Sequence, residues 1–182
     1  MSATEPPPLD LNAADAVSID RVVAQQRRRL ERLVAGVLDR SEAEDVVQEA
    51  LIRLGADPVR HRPYPEVASW LRRVCLNLAF NRRRDLARWR QRAVRGGAPE
   101  LASRPHQPDE VWMAAENREA VRAILDTLSE RHRAVLLLRY SGYSYAEMSA
   151  SLEMPLSSVG ATLARAESAF RNRYEEQPHD LS

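Results

Sequence analysis

Seven arginines share the stretch ASWLRRVCLNLAFNRRRDLARWR at residues 68–90: Arg72, Arg73, Arg82, Arg83, Arg84, Arg88 and Arg90, against the single acid Asp85. That set does no proton transfer and no nucleophilic chemistry. A guanidinium stays charged, and its planar fork grips oxyanions, phosphate among them, through paired hydrogen bonds. Trp70, Phe80 and Trp89 are interleaved with the arginines. Aromatic rings beside arginine suit base stacking combined with phosphate contact, as single-stranded or opening DNA requires. Leu71, Val74, Cys75 and Leu78 recur at i, i+3, i+4 and i+7, so the stretch is predicted as one amphipathic helix. Its arginines lie largely off that stripe, in solvent or against an anion. A solvated charged face over a buried stripe is the plainer reading of the same pattern.

Nothing else in the chain assembles a reaction centre. There is no Gly-rich phosphate loop, no metal-ligand cluster and no nucleophile beside a base, so an enzyme, a cofactor and a catalytic residue are not expected. His61 and His106 fall in loops, His132 in the first turn of a helix and His179 in the tail. Cys75 is alone, which excludes an internal disulfide and a cysteine zinc site and leaves a small core residue. No apolar run approaches a membrane span and no leader is visible, so a cytoplasmic protein without membrane insertion is expected.

The 182 residues suffice for one domain or two small ones. Net charge is +1, but its distribution is uneven. Residues 20–95 hold 18 arginines against 10 acids, and residues 96–182 hold 9 against 13. A basic half joined to a mildly acidic half points to two modules with different electrostatic tasks. Every basic residue is arginine, as codon bias in a GC-rich genome would also produce.

The elements that must position these residues read as helices throughout. Residues 1–16, with Pro6-Pro7-Pro8, form a tail expected to be disordered. A first helix spans about 17–38. A second opens at Ser41, whose pairing with Glu44 predicts a capping box, and buries Ala43, Val46, Val47, Ala50, Leu51 and Leu54. Its outer face shows Glu44, Asp45, Gln48 and Glu49, acids that favour the helix dipole or offer a docking surface to a basic partner. Residues 55–65 hold three prolines and are expected as an irregular loop before the arginine helix. A linker at 93–109 separates the first module (17–92) from the second (110–176), and a short tail at 177–182 follows.

In the second module, Ser129 is predicted to cap a helix ended by Gly142. Ser144 with Glu147 predicts a capping box on a short helix to Leu152, and Ser157 or Ser158 is predicted to cap a last helix to about Tyr174. Val159, Leu163, Ala166 and Phe170 mark the buried face of that last helix. A short capped helix, a three-residue turn and a longer helix make a helix-turn-helix. Glu153 stands at the turn position usually held by glycine, where left-handed backbone costs about 1 kcal/mol or more. The fold class expected is all-α: two small helical domains joined by a flexible linker, the second a helix-turn-helix.

SEAEDVVQEALIRL, ASWLRRVCLNLAFNRRR and LDTLSERHRAVLLLRYSGYSYAEMSASLEMPLSSVGATLARAE resemble, in order and spacing, the conserved blocks of bacterial sigma-70-type factors. The nearest subgroup is the small extracytoplasmic-function (ECF) sigma factors, which keep only the second and fourth conserved regions. The resemblance implies a subunit that joins core RNA polymerase, recognises promoter DNA and helps melt the −10 element. By similarity, Asp45, Gln48 and Glu49 would face the polymerase. Trp70, Arg73, Asn77, Asn81, Arg82, Arg83 and Arg84 would lie along the −10 strand, although Trp70 could equally be a core residue. The resemblance also implies an anti-sigma factor as a partner.

The last helix departs from the family pattern. Where long base- and phosphate-reading side chains are usual, it has Gly160, Ala161 and Ala164, which leaves Ser158, Thr162 and Arg165 as the −35 contacts. Either −35 recognition is weak, or this module mainly holds polymerase through residues 136–140. The alternative function is a free-standing helix-turn-helix regulator that never joins polymerase.

Overall fold

An amphipathic helix needs another element to cover its apolar stripe, and seven helices among the described residues do this for one another. The computed structural model describes residues 19–95 and 109–176, with side chains at 24–89, 91–93 and 117–176. In chain order the elements are α1 (Ile19–Ala35), α2 (Arg40–Ala56), a 3-10 turn (Pro58–His61), α3 (Tyr64–Arg95), α4 (Asp109–Thr127), α5 (Glu130–Tyr140), α6 (Tyr145–Leu152) and α7 (Leu156–Glu175). No strand occurs among the described residues. The tails expected at 1–16 and 177–182, and residues 96–108 of the expected linker, lie outside the described part.

The first module is a three-helix packing of α1, α2 and α3. Leu30, Leu33 and Val34 on α1, Val46, Val47 and Leu54 on α2, and Leu71, Cys75 and Ala79 on α3 are buried. Each large side chain contributes roughly 1.5–3 kcal/mol by leaving water. In the second module Ile124, Val135, Leu138, Met148, Val159 and Ala166 play the same part. The two modules are packed together. α3 lies against α6, and α1 ends so close to α5 that a Cβ added at Gly36 would stand 2.6 Å from Leu137 Cδ2.

Local signals decide most helix ends. Ser129 Oγ accepts from the His132 N–H, and Ser144 and Glu147 form a reciprocal capping box. Gly142 takes φ +82°, and Glu153 sits in left-handed backbone at φ 49°, ψ 48°. Three starts differ from expectation. α2 begins at Arg40, so Asp39 is its N-cap; Glu44 pairs with Arg40 at 3.2 Å and no Ser41 capping box forms. Asp39 caps nothing with its side chain, because that carboxylate receives Arg122 Nη1 at 2.7 Å. α3 begins at Tyr64, inside the expected loop, because Pro65 falls in the first turn, where a missing N–H costs nothing. α7 begins at Leu156 behind Pro155, with no serine cap.

Candidate nucleic-acid and partner interfaces

α3 carries two buried faces, not one. The stripe through Leu71 and Cys75 meets the first module's core, and a second row through Arg72, Leu76, Ala79, Phe80 and Arg83 is also buried. One expectation is corrected by this, at Phe80. Arg72 takes the anion rather than the solvent: it is 3 % exposed, its Nε donates to Ser151 Oγ at 2.6 Å, and Nη1 stands 3.7 Å from Glu147. Burial holds its guanidinium below its ordinary value, with Glu147 pulling the other way. Phe80 is core, under the Arg133 guanidinium at 4.9 Å, and does not offer its face to a base.

The residues expected on the −10 strand are brought onto one helix, but most of their charge is already engaged. Arg73 pairs with Glu153. Arg83, 8 % exposed, donates to Glu119 at 2.8 Å and to Asp126 at 2.8 Å. Burial alone would lower its guanidinium, but these two carboxylates outweigh that and raise it. Arg84 reaches Glu130 at 3.1 Å and also bonds Asn81. Asn77 and Arg82 are exposed, and Arg82 has no partner among the described residues. Trp70 is half-buried against the core, whereas Trp89 stands exposed.

On the second helix Asp45 and Gln48 point outward and Glu49 is half-buried, held by Arg53 at 2.6 Å. Asp45 has no partner among the described residues. Ile52 continues the same face at i+7 from Asp45 and is 67 % exposed. Sequence reasoning missed it, although it lies off the Ala43–Val46–Val47–Ala50–Leu54 stripe. A large apolar side chain held in water beside acids has the make-up of a binding anchor.

The expected −35 contacts separate. Arg165 is exposed and Ser158 half-buried, but Thr162 is buried at 5 %. It falls at i+3 from Val159 and next to Leu163, on the packing stripe, and cannot reach DNA from there. A groove of about 640 Å³ opens between α1, α4, α5 and α7, lined by Leu125, Leu137, Tyr140 and Phe170 among others. No group of metal-ligating side chains occurs among the described residues, and none of their helices is long and apolar enough to cross a membrane.

An acid-and-isoleucine face, an arginine helix and a helix-turn-helix thus share one all-helical frame among the described residues. The family described as Sigma-70 region 2 matches residues 22–90, and Sigma-70, region 4 matches 118–170. The ECF RNA polymerase sigma factor SigL of Mycobacterium tuberculosis is 34 % identical over 142 residues, 76 % of this chain and 77 % of that protein. The ECF RNA polymerase sigma factor SigE of Mycolicibacterium smegmatis is 27 % identical over 157 residues, 85 % of this chain but 61 % of that protein's length. Among solved structures, the sigma factor RpoE in complex with the anti-sigma factor NepR from Bartonella quintana is similar, with a TM-score of 0.54, 17 % identity, and coverage of 87 % of this chain and 97 % of that one. The chain belongs to the ECF sigma factors.

Proposed function

We propose that this chain is a non-enzymatic specificity subunit that joins core RNA polymerase in the cytoplasm, directs it to promoters and assists −10 melting. The observation that carries the reading is the division of labour between neighbouring helices. α2 presents Asp45, Gln48 and Ile52 to a partner, and α3 carries the arginine row. An apolar anchor rimmed by carboxylates fits a basic protein surface; a row of guanidiniums fits phosphates. In the second module Arg165 and Ser158 remain the −35 contacts, and small Gly160, Ala161 and Ala164 make that readout weak. An anti-sigma factor, the class of protein found with RpoE, is a further partner.

The test is capture of core polymerase by the full chain, followed by run-off transcription on genomic fragments. Asp45→Arg and Ile52→Asp should each abolish capture and transcription while leaving helical content unchanged. Retained capture by both would remove α2 from the polymerase interface and return the chain to a free-standing regulator.

A further inference from the structure

We propose that the second module's carboxylates stand in for the DNA backbone. In the free chain they hold the α3 arginines, and nucleic acid engages those arginines only by displacing them. The proposal rests on the assignment of α3 to DNA given above. Glu153 meets Arg73, Glu119 and Asp126 meet Arg83, and Glu130 meets Arg84. From Arg73 to Arg84 this row extends about 16 Å along the helix at ~1.5 Å per residue. It also explains why a net-acidic module belongs in a DNA-binding chain: the acids are placed for α3, not for a promoter.

The strength of these pairs separates a latch from structural glue. In the Arg84–Glu130 pair both side chains are more than half exposed, and Glu153 is more exposed still. Exposed pairs of this kind contribute little to stability and weaken with salt. Phosphates accept from the same guanidinium donors, with both arms of the fork where geometry allows, and can replace them. Arg83 behaves differently. It is buried beneath Glu119 and Asp126, so it reaches DNA only after the second module has moved. Arg82, exposed and unpaired, remains accessible in the closed arrangement.

The experiment compares the full chain with Glu119→Gln/Glu130→Gln/Glu153→Gln by fluorescence anisotropy on a short labelled DNA single strand of mixed sequence. X-ray scattering reports the separation of the modules in parallel. Glu42→Gln/Glu44→Gln/Glu167→Gln makes the same change in net charge away from the α3 pairs. The interface variant should bind roughly ten-fold more tightly than wild type and scatter as a more extended particle, and the control should gain much less. Equal gains in both variants, or no gain in the interface variant, overturn the proposal. Arg82→Gln then shows where the failure lies. If it weakens binding, α3 reads DNA and only the occlusion is wrong; if it changes nothing, the DNA assignment of α3 has failed as well.

Discussion

Arg83 Nε donates to Asp126 Oδ2 at 2.8 Å, while Oδ1 of the same carboxylate receives Arg133 Nη1 at 3.2 Å. One acid on α4 thus joins guanidiniums from α3 and α5, and both arginine side chains are 9 % exposed. Burial pushes the Arg133 guanidinium below its ordinary value, with Asp126 as the main opposing influence. Removing the acid would take the ion-pair partner from nearly buried Arg133 and leave Arg83 beside it with Glu119 alone.

Asp126→Ala should therefore cost more than an ordinary surface substitution. Breaking a fully buried pair costs about 3–5 kcal/mol; because Asp126 is about a third exposed, roughly 2 kcal/mol is expected. Urea unfolding followed by circular dichroism measures it. A loss below about 0.5 kcal/mol, the level of an ordinary surface change, would mean that water already solvates these arginines.

Glu153→Gly tests two opposed effects at one position. Glycine removes the penalty of left-handed backbone, about 1 kcal/mol. It also removes the exposed contact with Arg73, which contributes less than about 1 kcal/mol and is screened by salt. The variant should melt at or slightly above the wild-type temperature in low salt, with the advantage growing in high salt. A lower melting temperature at both salt concentrations would show that the turn tolerates glutamate without strain.

What the sequence showed and what it hid follow from the range of the interaction. The Ser144–Glu147 box, the Ser129 cap and the Gly142 stop are contacts within a few residues, and each was legible. The Ser41 cap read in the same way does not form: the helix starts at Arg40, behind Asp39, whose side chain meets Arg122, 83 positions away. Likewise the burial of Arg72 and Arg83 is invisible in α3 alone. A residue off the apolar stripe reads as solvent-facing until another element brings Ser151, Glu119 or Asp126 to it. Thr162 and Ile52 are a different case. Their spacing already placed one on the packing stripe of α7 and the other on the outer face of α2.

Tyr143 should tolerate loss of its hydroxyl. The side chain is 1 % exposed, its OH has no hydrogen-bond partner, and burial pushes the phenol up to about 12 despite Arg29 and Arg72 nearby. The ring itself lies under the guanidiniums of Arg29 at 4.3 Å and Arg72 at 5.1 Å. Tyr143→Phe keeps those contacts and removes an unsatisfied polar group, so stability should hold or rise by up to ~1 kcal/mol. Tyr143→Ala, which empties the site, should cost about 3–5 kcal/mol. If Phe proves as damaging as Ala under chemical denaturation, the hydroxyl is hydrogen-bonded in solution and the ring is not what holds the site.

Glu147 makes the contact between α1 and α6 sensitive to acid. Burial raises its carboxyl, but the Ser144 N–H at 2.9 Å and Arg29 Nη1 at 3.1 Å more than offset this and hold it below its ordinary value of 4.5. A carboxyl depressed by folding binds its proton more weakly in the native state than in the unfolded chain. Its stabilisation is therefore complete above the unfolded value and disappears as pH falls through the folded one. Melting temperatures of wild type and Glu147→Gln, measured from about pH 6 down to about 3, should differ most at the upper end and converge below roughly 4.5. The glutamine variant mimics the protonated acid, so its own decline should be shallower by that amount. A gap of constant size across the range would show that the ionised carboxylate contributes nothing beyond the hydrogen bonds glutamine can also make, and that Arg29 is held to α6 by shape alone.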